Sequence, residues 1–262
     1  MKMRKSKCTF WVVRARVLKV VIAVLLCMFL LSLPMSSGEA MATTFFGTTR
    51  KIPIYCVEND KKEIAISFDA AWGSDKTQDI LDILKEQGVT ATFFLVGMWV
   101  DKNSDMTMKI DADGIEIGTH SNTHPDMTKL TESKIRQELE TSMMKITSLT
   151  GKPVKVFRPP YGAYNNTLIN VATSLGLSTI QWDVDSLDWK GISAGQISKN
   201  VLSKVGSGSI ILCHNNADHI VEALPTIIST LKSNGYTFVK MSDLILKDNF
   251  TINHAGKQIK SK

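Results

Sequence analysis

Seven short runs rich in β-forming residues recur along the chain: Glu63–Asp69, Thr90–Val96, Glu116–His120, Val156–Pro160, Ser178–Asp185, Gly208–Asn215 and Tyr236–Ser242. Between most of them lie stretches of helical length and period. The clearest spans Thr131 to Thr150, where Ile135, Leu139, Met143, Ile146 and Leu149 recur every third or fourth residue. That spacing makes one apolar stripe on an α-helix, with Thr131 placed to cap its start and Gly151 to end it. Asp79–Gln87 and Ile197–Val205 repeat the theme. Strands alternating with helices predict a mostly parallel sheet with helices outside it, and about seven such units suit a barrel or a strongly curled sheet. Residues 43–62 read as a polar spacer with room for one short strand, and 247–262 as a polar tail.

The amino-terminal pattern is different. A basic stretch precedes an apolar run, Val20–Leu33, broken only by Ser32, and Ala40-Met41-Ala42 follows. Basic flank, apolar core and an Ala-x-Ala site describe a secretory signal or membrane anchor over residues 1–42. With the basic residues leading, the rest of the chain is expected outside the cytoplasm. Charge supports this division. The formal net charge is +6, but residues 1–42 hold seven Lys/Arg and one acid, leaving 24 basic and 24 acidic residues beyond them. The globular part is neutral, so a nucleic-acid partner is not expected. Of the four cysteines, Cys56 and Cys213 lie beyond the leader, and a disulfide between them is left open.

Parallel α/β folds place their chemistry beyond the carboxyl ends of the strands. Asp69, His120, Arg158, Asp185 and His214 each fall at or near such an end. His120 and His124, four residues apart, suit one cation, and imidazole takes Zn, Fe, Co or Ni. Asp69 is either a cap or a general base held ionised by a guanidinium. Arg158-Pro159-Pro160-Tyr161-Gly162 is a stiff loop with a planar fork for a carboxylate and the Tyr161 N–H available to an oxyanion. Trp182-Asp183-Val184-Asp185-Ser186-Leu187-Asp188-Trp189 mixes indoles with acids, a combination suited to sugars. His214, ending the apolar run Ile210–Cys213, is either a core histidine or an acid oriented by Asp185 or Asp188.

Together, in this order and spacing, these segments resemble the polysaccharide deacetylase (NodB-homology) domain of carbohydrate esterase family 4, over about residues 63–246. Phe68-Asp69-Ala70-Ala71-Trp72-Gly73 and the Trp182–Trp189 segment are similar in wording to the sporulation-type deacetylases of spore-forming bacteria. The resemblance implies an α/β fold, a distorted (β/α)7 barrel, and metal-dependent removal of N-acetyl groups from a polysaccharide, peptidoglycan and spore cortex first. It also implies roles. Asp69 is the base, oriented by Arg158. His120 and His124 hold a divalent metal, with Zn expected ahead of Co or Ni. The Tyr161 N–H faces the oxyanion, and His214 is the acid, tuned by Asp185 or Asp188. Trp189 and Leu212 line the acetyl pocket. One position departs from the family: a second Asp usually follows the base, and here it is Ala70, with Asp126 a substitute to test. The alternatives are a catalytically impaired glycan-binding or structural envelope protein of the same fold, or a deacetylase of chitooligosaccharides or xylan.

Overall fold

The computed structural model describes residues 49–261, so the leader at 1–42 lies outside the described residues. The strands are β1 (Cys56–Val57), β2 (Glu63–Ala70), β3 (Thr92–Leu95), β4 (Glu116–Thr119), β5 (Val156–Phe157), β6 (Ser178–Thr179), β7 (Val184–Asp185), β8 (Ile210–His214) and β9 (Thr237–Phe238). The main sheet is parallel and runs β6-β5-β4-β3-β2-β8-β7, with β9 beside the start of β2. Because every strand points the same way, all carboxyl ends share one rim.

The central strand β2 sorts the core into two faces. Ile64, Ile66, Phe68 and Ala70 pack into the large cluster with the helices, whereas Ala65 joins Phe94, Val156, Ile180 and Ile210 inside the curl. Side chains alternate along a strand, so Ser67 and Asp69 share the inner face with Ala65. Burying each large aliphatic side chain contributes about 1.5–3 kcal/mol, which holds the polar inner positions of β2 in place. The helix over Glu132–Thr150 forms as its pattern predicts. Thr131 Oγ1 accepts the Lys134 N–H at 3.4 Å, Ile135, Leu139 and Ile146 are buried, and Gly151 closes the end with φ of 68°.

Three sequence-based expectations change. The single strand expected over Ser178–Asp185 is two strands, and they lie on opposite edges of the sheet. The residues between them serve other partners: the Asp183 carboxylate accepts the Ile210 N–H at 2.7 Å and the Ser209 hydroxyl at 2.8 Å, and the Gln181 carbonyl accepts from Arg158. The stretch 49–62 is more than a spacer. Ile54 bridges Ile180 and Cys56 bridges Ser209, so this segment spans the seam between the two sheet edges. Gly208 is required there, because at its φ of +79° a Cβ would stand 1.7 Å from the Val57 carbonyl oxygen. The polar tail forms strands β10 (Phe250–Ile252) and β11 (Lys257–Lys260), with β11 parallel to β1. Buried Gln258 fastens it, exchanging two 2.8 Å hydrogen bonds with the Leu246 backbone. Cys56 and Cys213 are both free thiols.

Candidate active site

Asp69 reaches the rim because β2 ends there, and Arg158 because β5 does. Arg158 is fully buried; its Nη1 donates to Asp69 Oδ1 at 2.8 Å and to Ser67 Oγ at 2.9 Å, and Nη2 donates to the Gln181 carbonyl at 3.1 Å. The flat guanidinium lies against the rings of Phe94 and Trp182, 4.2 and 5.6 Å from their centroids. Such a buried ion pair holds geometry more than it adds stability. Burial pushes the Asp69 carboxyl up, but the guanidinium and then His120 and His214 more than offset it, so Asp69 lies below the ordinary carboxylate value. It is an ionised carboxylate at neutral pH.

His120 follows β4. Its Nδ1 donates to the Arg158 carbonyl at 2.7 Å, which fixes the tautomer and leaves Nε2 as a lone-pair donor 3.6 Å from Asp69 Oδ2. His124 is brought back by a tight loop in which Ser121 and His124 both adopt left-handed backbone, φ of 70° and 60°. Glu138, on the helix over Glu132–Thr150, clamps this loop. Its carboxylate accepts the N–H groups of Asn122 and Thr123 at 2.9 and 2.8 Å and the Thr123 hydroxyl at 2.8 Å. The two imidazole centroids are 4.9 Å apart. Burial, then His120, depresses His124 to about 4, so it too is neutral.

His214 pairs in register with Asp69 across β2 and β8. Its Nδ1 meets Asp188 Oδ1 at 2.8 Å, and its backbone N–H donates to Asp188 Oδ2 at 2.7 Å. Burial pulls this imidazole down, but the hydrogen bond and charge of Asp188, with Asp69 and Asp185, raise it above its ordinary value. The open choice between Asp185 and Asp188 resolves in favour of Asp188. Asp185 instead accepts the Leu187 N–H at 2.8 Å, shaping the turn that carries Asp188.

Asp69, His120, His124, Asp188 and His214 line one cleft of about 650 Å³, together with Trp72, Tyr161, Trp182, Asp185, Trp189 and Leu212, while Arg158 stays buried behind Asp69. Tyr161 sits at φ of 60° in the Pro160–Gly162 turn, whose backbone hydrogen bonds are donated by Gly162 and Ala163 to the carbonyls of Pro159 and Pro160. Leu212 is buried at the cleft floor and Trp189 is exposed at its edge. Sequence reasoning had no signal for Glu138, an acid on a half-exposed helix flank. Nor did it mark Ser67, whose hydroxyl accepts from Arg158 and donates to the Ile211 carbonyl at 2.7 Å.

Two nitrogens fit a cation here. His120 Nε2 is left unprotonated by the bond at Nδ1, and His124 Nδ1 is buried without a hydrogen-bond partner. A third protein ligand is not assembled: among the described residues no group of three His, Cys, Asp or Glu side chains is arranged for a metal. Ala70 packs its methyl into the helix-side cluster. Asp126 does not replace it, because its carboxylate is taken by the N–H and hydroxyl of Thr128 and by Lys129 at 3.1 Å, outside the cleft lining. The donor set therefore suits a cation held by two imidazoles with open positions, not a closed cage.

A curled parallel sheet under a helix layer, with an ionised carboxylate, a paired imidazole and two spare imidazole nitrogens at its strand-end mouth, defines a (β/α)7 domain of the carbohydrate-esterase kind. The chain belongs to the polysaccharide deacetylase family, whose profile matches residues 57–180. It is 36% identical to the peptidoglycan-N-acetylglucosamine deacetylase PgdA of Listeria monocytogenes, over 74% of this chain and 41% of PgdA. It is 32% identical to the peptidoglycan-N-acetylmuramic acid deacetylase PdaA of Bacillus subtilis, over 74% of this chain and 75% of PdaA. The chain spans 60% of YlxY of Bacillus subtilis, an uncharacterized protein to which it is 37% identical over 74% of its own length. Among solved structures, BA3943, a CE4 family pseudoenzyme from Bacillus anthracis, matches with a TM-score of 0.71 at 35% identity, covering 73% of this chain and 68% of that one.

Proposed function

We propose that the protein is a metal-assisted N-deacetylase of a polysaccharide, peptidoglycan before other glycans, exported and working outside the cytoplasm. One observation carries the catalytic reading: an Arg158-bound carboxylate and an Asp188-bound imidazole are register partners on adjacent strands at one mouth. A base with a depressed pKa beside an acid with a raised one is the division of labour that amide hydrolysis needs. The names of the relatives PgdA and PdaA support peptidoglycan, and the basic, then apolar, residues of the leader support export.

His120 and His124 would hold the divalent cation, zinc ahead of cobalt or nickel, and when bound it supplies Lewis acidity toward a carbonyl oxygen. Asp69, oriented by Arg158, removes a proton from the attacking water as its oxygen bonds to the acetamide carbonyl carbon. The Tyr161 N–H faces the oxyanion that develops. His214 then delivers its proton to the amine nitrogen as the carbon–nitrogen bond breaks. Acetate and a free amino sugar result. Leu212 and Trp189 enclose the acetyl methyl, and Asp185 keeps the turn bearing Asp188 in shape.

The test is acetate release from peptidoglycan and chitin fragments by the purified protein, after chelation and with metal added back. Release that depends on metal and is abolished in Asp69→Asn and His214→Ala is expected; no release under any metal sinks the proposal. A second reading, a glycan-binding envelope protein without turnover, is favoured by Ala70 and by the likeness to a pseudoenzyme. It predicts glycan binding with no acetate.

A further inference from the structure

Among the described residues, the exposed large aromatic side chains are Trp72, Tyr161 and Trp189, and all three line the same cleft. Tyr161 and Trp189 already have places in the reaction. Trp72 has none, yet 63% of its surface is in water. A single exposed indole needs no explanation, but three exposed aromatic side chains gathered at one cleft form the kind of apolar patch that marks a binding surface.

The loop under Trp72 is built to hold still. The next residue, Gly73, has φ of +58°, and a Cβ there would press on the Asp75 carboxylate at 3.0 Å. Its carbonyl oxygen accepts two hydrogen bonds from buried side chains, one from the Trp99 indole at 2.6 Å and one from the Asn215 amide at 2.9 Å. Asn215 is fixed in turn by Thr77 Oγ1 at 3.1 Å. On its site-facing side, the Trp72 ring stands edge-on to His124 with centroids 6.0 Å apart, and His124 stands 4.6 Å from Tyr161. The result is an aromatic wall on the β4 and β5 side of the mouth, across Asp69 from Trp189, which follows β7.

We propose that Trp72 is a stacking platform for the pyranose ring next to the one being deacetylated, so that the site selects oligomeric over monomeric N-acetylated glycans. This rests on the reading of the cleft as a glycan site. A β-linked hexose with equatorial substituents presents a face of C–H groups, the surface that an indole face desolvates best. Trp72 lies three positions after Asp69, at most about 10 Å of chain, the reach of one or two linked rings. A preorganised platform binds without the cost of ordering its loop.

The test separates binding from turnover. Asp69→Asn protein is titrated calorimetrically with the mono- and tetrasaccharide of β-1,4-linked N-acetylglucosamine and with peptidoglycan glycan strands, alone and combined with Trp72→Ala or Trp72→Phe. Trp72→Ala is expected to weaken oligosaccharide binding about tenfold, equivalent to about 1.4 kcal/mol, and to shrink the preference for tetramer over monomer by the same factor. Trp72→Phe should restore most of it, since an aromatic face remains. Equal affinity with and without the Trp72 indole overturns the platform, as does failure of the parent to bind either glycan. Binding that depends on Trp72 in a protein that releases no acetate overturns the deacetylase reading alone.

Discussion

Asp188→Asn is the sharpest test of the assigned chemistry. Each Asp188 oxygen accepts one hydrogen bond from His214, at 2.8 Å from the ring and 2.7 Å from the backbone. Asparagine keeps the shape but has one acceptor atom, so with that oxygen on the backbone N–H its NH2 faces the ring, and the neutral imidazole keeps the bond only with its proton moved to Nε2. The protonated ring, which the acid requires, would set two N–H groups against each other at a cost of about 1–3 kcal/mol. The charge is lost as well. Burial pulls the His214 imidazole down, and Asp188 leads the groups that raise it above its ordinary value. Without that carboxylate burial dominates and the pKa falls. With His214 as the proposed acid, activity persists while it is protonated and fades as pH rises through its pKa. The alkaline limb of the kcat/KM profile for acetate release must therefore move to lower pH. Loss of a poised general acid is expected to lower kcat/KM by about 10²–10⁴-fold at neutral pH. An alkaline limb that stays in place, with rates near those of the parent, would refute the pairing as the source of acidity. Stability follows the same sign. With the folded pKa raised, the contribution of His214 is present below its unfolded value and is lost as pH rises through the folded one.

Arg158→Met strands the Asp69 carboxylate in a buried place and is expected to destabilise the fold by about 3–5 kcal/mol in urea. It also removes the first of the charges that hold Asp69 low, so the acidic limb of kcat/KM should move to higher pH; an unmoved limb counts against Arg158 as the orienting group. In the parent the Asp69 contribution is present above the unfolded carboxylate pKa and is lost as pH falls through the depressed folded value. Glu138→Ala frees the loop that carries His124 while leaving both imidazoles in the chain. Supporting groups of this kind typically set 10–100-fold of metal affinity, and calorimetry with zinc should show a loss of that order; unchanged affinity would mean the loop holds itself.

Much of the fold is legible in local pattern. The stripe from Ile135 to Leu149, its Thr131 cap and its Gly151 stop record short-range interactions within a few residues of each other. The strand ends are legible for a similar reason, since an apolar run ending in Asp69 or His214 announces a buried strand meeting the surface. Glu138 was invisible because its role is defined by a loop it does not adjoin. The break in Ser178–Asp185 was invisible because Thr179 and Val184 look like strand on either side of it and Trp182 within it does too, while Asp183 answers to Ile210.

By itself the sequence determined the alternation of strands and helices, the set of ionisable residues at the strand ends and the family wording that joins them. Each depends on spacing along the chain, which side-chain alternation and helical period translate directly into faces. Only the tertiary structure decided that Asp188 rather than Asp185 holds His214, that Asp126 stays outside the cleft, and that the polar carboxyl-terminal residues pair with β1. Those outcomes depend on distances between residues far apart in the chain, which packing sets and local pattern does not encode.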